Sequence, residues 1–163
     1  MFRRLFFRAS IWTLLLVVLP VWAEDAKVTP RTLSFQIAVP CNCASCVFDV
    51  QRVIRKFEGV QSVKFNGRER RFEIAFTEAG KAISELTQAV EKSELGQGST
   101  LCWPVPKGAD AKKLAENLAT VAGVKSARHD AKSGLLLLNF QEKPVVTLKQ
   151  LDVATQGETH VGK

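Results

Sequence analysis

Three of the chain's four cysteines fall within six residues, in the run Cys41-Asn42-Cys43-Ala44-Ser45-Cys46. A Cys-x-Cys-x-x-Cys cluster can hold a soft metal ion or do thiol–disulfide chemistry, and in both the thiolate is the working species. Soft ions such as Cu(I) accept two or three thiolates, whereas structural zinc usually takes four ligands. One loop offers two or three sulfurs, and neither His129 nor His160 is near it in sequence. That argues against a closed four-coordinate zinc site from this loop alone. Low coordination also suits handover, because an incoming thiolate has somewhere to bind.

Two elements must position the cluster. Leu33 to Val39 alternates apolar and polar residues as a half-buried strand does. Val47, Val50, Val53, Ile54 and Phe57 recur at helical spacing, with Gly59 as a stop signal. The thiols therefore sit between a strand and a helix, where open N–H groups and the helix dipole favour a thiolate.

The N-terminus predicts where the thiols work. Met1 to Arg8 carries Arg3, Arg4 and Arg8, and an apolar run from Ile11 to Val21 follows. Val21-Trp22-Ala23 ends in the small residue that cleavage favours, before Glu24-Asp25. This is the three-part pattern of a secretory signal peptide over residues 1–23. The run is broken by Pro20 and is shorter than the ~20 residues of a spanning helix. The expectation is a periplasmic or secreted protein that meets the membrane only through its signal peptide during export. Losing that segment takes the net charge from +7 to +4, an ordinary soluble surface. Arg68, Arg70 and Arg71, interspersed with Glu69 and Glu73, read as a solvated hairpin edge, and no nucleic-acid partner is expected.

The rest of the chain repeats itself. Gly59-Val60 to Phe76 and Gly123-Val124 to Phe140 have the same length, at an offset of 64 residues. Val39-Pro40 and Val105-Pro106 recur upstream, and Ile83 and Leu86 match Leu148 and Leu151 downstream. In each unit a strand and a helix precede a hairpin, and the first hairpin carries Asn66-Gly67, a strong turn dipeptide. A second helix follows each hairpin. The fold class expected is α+β: two tandem ferredoxin-like (βαββαβ) modules, each an antiparallel sheet with two helices on one face. The first module is set at residues 31–98 and the second at 99–157, with a polar tail at 158–163. The second is expected to lack its final strand.

The first unit resembles a known family. Cys43-Ala44-Ser45-Cys46-Val47, Gly59-Val60, Val63, Phe76 and Leu86 to Lys92 fall at the spacing of the heavy-metal-associated domain. That family includes periplasmic mercury-binding proteins, copper chaperones and modules of metal-pumping ATPases. The resemblance covers Leu33 to about Gln97. It implies the ferredoxin-like fold, Cys43 and Cys46 as metal ligands, Cu(I) or Hg(II) as the ion, and a metal-transporting membrane protein as partner. Cys41 stands where the family has Met, which makes it either a third ligand or a small packed residue. Pro40 replaces a family Gly. No catalysis is implied. The second unit's corresponding loop, Pro106-Lys107-Gly108-Ala109-Asp110, has no thiol, and Cys102 reads as a buried strand residue. Two other readings stay open: a thiol–disulfide protein using Cys43 and Cys46, and an interaction module whose cysteines form a disulfide.

Overall fold

The computed structural model describes residues 29–39, 43–78, 81–93 and 98–156. The proposed signal segment, Pro40, Cys41, His160 and the polar tail lie outside the described residues.

The described chain runs β1 (Arg31–Ile37), α1 (Ala44–Arg55), β2 (Val60–Asn66), β3 (Arg71–Phe76), α2 (Ile83–Lys92), β4 (Ser99–Pro104), α3 (Ala111–Ala119), β5 (Val124–Asp130), β6 (Leu135–Phe140) and α4 (Leu148–Gln156). The strands form one six-stranded sheet in the order β2-β3-β1-β4-β6-β5. Every neighbouring pair is antiparallel.

The element order strand–helix–strand–strand–helix occurs twice along the chain, but the two units are not beads on a linker. Sequence reading expects one strand to close the first unit before the boundary at 98/99 and another to open the second after it. The structure merges the two into β4. This strand pairs with β1, closing the first unit, and with β6, opening the second. β1 in turn lies beside β4 where the second unit's own fourth strand would pair. No strand follows β6 among the described residues.

Alternation along the strands puts one apolar row on the helix side. Phe65, Phe72, Phe35, Leu101, Leu138 and Ala127 follow one another across the sheet by direct pairing. Ile54 of α1, Leu86 of α2, Leu114 and Leu118 of α3 and Leu151 of α4 pack into the same core. There is one core cluster, and it draws on both units. The other face of the sheet is largely polar and carries Lys64, Glu73, Ser34, Cys102, Leu137 and Arg128 in one paired row.

The repeat's glycines have matching reasons. Gly59 and Gly123 adopt φ of +88° and +97°, a region open to Gly and strained for other residues. An added Cβ would stand 2.2 Å from the carbonyl oxygen of Thr77 or of Pro144. Each glycine carbonyl accepts a 2.8 Å hydrogen bond, from Thr77 N–H and from Gln141 N–H. Register shifts follow at Val60/Ser62 and at Val124/Ser126. The helix starts are also local. Asp110 caps α3 by accepting from Lys112 N–H at 2.9 Å and Lys113 N–H at 3.3 Å. Thr147 and Gln150 form a reciprocal box before α4, with Gln150 Oε1 accepting from Thr147 N–H at 2.8 Å and Thr147 Oγ1 from Gln150 N–H at 3.3 Å.

A chain cut after Gly98 loses β4 and leaves the β1 edge unpaired. It also uncovers a core that Leu101 and Trp103 help to seal. That truncated chain is expected to lose cooperative thermal unfolding by circular dichroism, and to associate through its open edge. A sharp transition in a monomer would show that the first unit stands alone.

Candidate metal centre

The sequence sets the start of α1 less well than its end. The apolar stripe suggests a helix from Val47, yet α1 begins at Ala44 with Cys43 as its N-cap. The cap is extended, with φ −77° and ψ 154°, and its carbonyl accepts from Val47 N–H at 3.3 Å. Cys46 is thus in the first helical turn rather than in the loop. Its helical placement turns Cys46 back towards the cap, where Cys43 stands. The first turn has no acidic residue and no side-chain cap. Its open N–H groups and dipole therefore favour negative charge where the two sulfurs sit.

Cys43 Sγ and Cys46 Sγ are 3.3 Å apart, and Ser45 Oγ lies 3.1 Å from Cys43 Sγ. At this distance the two sulfurs touch without the covalent S–S separation of about 2.05 Å. We read them as adjacent sulfurs that converge on one point. Cys43 is exposed and Cys46 half-buried, so an ion held there stays reachable by another molecule's thiolate. Cys41 lies outside the described residues. Among the described residues no set of three His, Cys, Asp or Glu side chains converges as a metal site.

Other thiols and imidazoles stay apart from this point. Cys102 pairs with Ser34 in the middle of the sheet, on the face without helices, and is 3% exposed. Burial pushes its thiol above the ordinary value of 9.0, against a smaller opposing pull from the Arg71 guanidinium. His129 is exposed on β5, opposite Leu136 of β6. The thiol-free loop of the second unit follows β4. Because β1 and β4 are antiparallel, that loop and the thiol loop lie at opposite ends of the sheet.

One surface residue at the site was missed by pattern reading. Phe48, two residues after Cys46, is 51% exposed, with the Arg52 guanidinium 5.1 Å from its ring centroid. The signal was present, since Phe48 is an apolar residue off the stripe of Val47, Val50 and Ile54.

Comparison with known proteins gives one family. Residues 37–96 match the family model described as the heavy-metal-associated domain. The match begins at the end of β1, spans the thiol loop and ends after α2. No curated protein matches the chain. Among solved structures, the water-soluble region of the P-type ATPase CopA from Bacillus subtilis is similar at 15% identity, covering 78% of this chain and 85% of its own, with a TM-score of 0.39. The N-terminal soluble domains of the same organism's CopA give 15% identity, 78% and 88% coverage, and a TM-score of 0.41.

Burial separates the thiols chemically. In the native reduced chain at pH 8, a thiol reagent such as DTNB is expected to label Cys43 and leave Cys102 untouched until denaturant is added. The folded Cys102 thiol titrates above its unfolded value. Its contribution to stability is therefore whole below that value and declines as pH rises past it. Prompt labelling of Cys102 in the native state, read by peptide mass, would contradict its buried placement.

Proposed function

We infer that this protein, whose residues 37–96 match a heavy-metal-associated domain, binds and carries a soft metal ion through cysteine thiolates. The observation that carries the reading is the pair Cys43 and Cys46, 3.3 Å apart at the uncapped start of α1 and inside the matched segment. Two thiolates are enough for a linear soft-ion complex, and sulfur ligands select Cu(I)-type ions over hard ones. We propose Cu(I) or Hg(II) as the ion, with Cys41 as a third ligand where coordination rises to three.

The residues have distinct tasks in this reading. Cys43 and Cys46 supply the sulfur. The α1 N-terminus stabilises the negative charge that two thiolates place on a monovalent ion. The exposure of Cys43 leaves a path for a third thiolate, so that exchange proceeds through a transient complex rather than a free ion. By the same reading the partner is a metal-transporting membrane protein, and the signal-like N-terminus supports an exchange outside the cytoplasm. The protein carries the ion and has no catalytic role.

A thiol–disulfide role is the second reading, favoured by the closeness of the same two sulfurs. Cu(I) competition titrations separate the two. Cys43→Ser and Cys46→Ser are each expected to weaken Cu(I) affinity by several orders of magnitude, and Cys102→Ser to leave it unchanged. A double variant that held one ion as tightly as the parent would remove the metal assignment. Insulin reduction by the parent, lost in the same double variant, would favour the redox reading.

A further inference from the structure

A cavity of about 480 Å³ lies at the end of the sheet where β1 runs into the thiol loop, lined by residues from both faces. Its volume falls within the ~300–1,000 Å³ of small-molecule sites. Two arginines from different repeats line it, Arg70 from the β2–β3 turn and Arg128 from β5. They are 58 positions apart in sequence, and the fused sheet brings them to one cavity. Gln36 and Thr100, paired across β1 and β4, add polar lining, and Leu137 and Phe65 add apolar lining. Glu69 is the one acidic residue among the lining residues, and its carboxylate is 3.5 Å from the Arg71 guanidinium. The Thr100 hydroxyl donates to Asn139 at 2.8 Å, which fixes that part of the wall.

Arg70 is held in an unusual backbone state. Its φ is +52°, the one positive value at a non-glycine residue among those described. That conformation costs roughly 1–2 kcal/mol for an L-residue. A glycine would occupy the position without that cost, yet the chain places an arginine there.

We propose that this cavity binds a small organic carboxylate, its charged end on Arg70 and Arg128 and its apolar body against Leu137 and Phe65. Guanidinium groups suit a carboxylate because their planar donors match its two oxygens. The apolar lining favours a ligand with a carbon skeleton over a bare inorganic anion. The site shares no residue with the proposed metal ligands, and it stands or falls separately from them.

The test uses the whole chain, metal-free, with amide NMR shifts followed during titration with adipate, 1,6-hexanediol and inorganic phosphate. Adipate is expected to give saturable shifts at Gln36, Arg70, Thr100 and Arg128, with hexanediol and phosphate at least tenfold weaker. R128Q should weaken adipate about tenfold or more, in line with loss of one charge-assisted hydrogen-bonding group. R70G relieves the positive φ and removes the guanidinium, and it should lose adipate to a similar degree. Equal adipate affinity in an R70G/R128Q double variant would overturn the proposal. So would shifts centred elsewhere, or phosphate binding as tightly as adipate.

Discussion

The antiparallel pairing of β1 with β4 is the constraint on which the rest of the molecule depends. Ser34 faces Cys102, and Phe35 faces Leu101, at the centre of the sheet. Without that pairing each unit has three strands and an open edge in the middle of its core. With it, each unit's first strand serves as the other's closing strand, and two short repeats bury one shared core. Small domains bury a limited fraction of their surface, so fusing two cores stabilises both. The Arg31–Asp152 ion pair at 2.7 Å links the first strand to the last helix. Both side chains are well exposed, and such pairs add little. The shared sheet and core do most of the joining.

The same pairing sets the functional asymmetry. It sends the loop after β1 and the loop after β4 to opposite ends of the sheet. Only the loop after β1 carries thiols. At that end Cys43 caps α1 and Cys46 sits in its first turn, so the site belongs to a helix start anchored in the core by Val50 and Ile54. The sulfurs are held by a fixed scaffold while Cys43 stays open to solvent. A carrier needs both properties: a site defined well enough to select a soft ion, and open enough to give it up. The second repeat keeps the scaffold positions Leu114, Leu118, Leu136 and Leu151. Its contribution here is structural, since it supplies β4 and the strands beyond it.

Much of this was legible from residue order. The 64-residue offset and the glycines at 59 and 123 pointed to two like units, each with a hairpin. The helical stripes named Val50, Ile54, Ile83, Leu86 and Leu151 as core. The thiol run marked the candidate site because Cys-x-Cys-x-x-Cys is rare and chemically specific. The fusion was not legible. Local pattern gives a strand at 101–105 but not how many neighbours it has, and pairing on both edges depends on residues far away in sequence. The start of α1 was missed because Cys43 is not among the side chains that mark an N-cap. The cavity between Arg70 and Arg128 was invisible for the same reason as the fusion: sheet order is a long-range property.

The central claim is that sulfur alone, supplied by the loop before and at the start of α1, holds a soft ion in this protein. X-ray absorption at the copper edge of the fully reduced, Cu(I)-loaded chain tests it most directly. The account predicts one copper per chain with a first shell of two or three sulfur atoms and no nitrogen or oxygen. A shell dominated by nitrogen or oxygen ligands, or copper spread over several sites per chain, would contradict it.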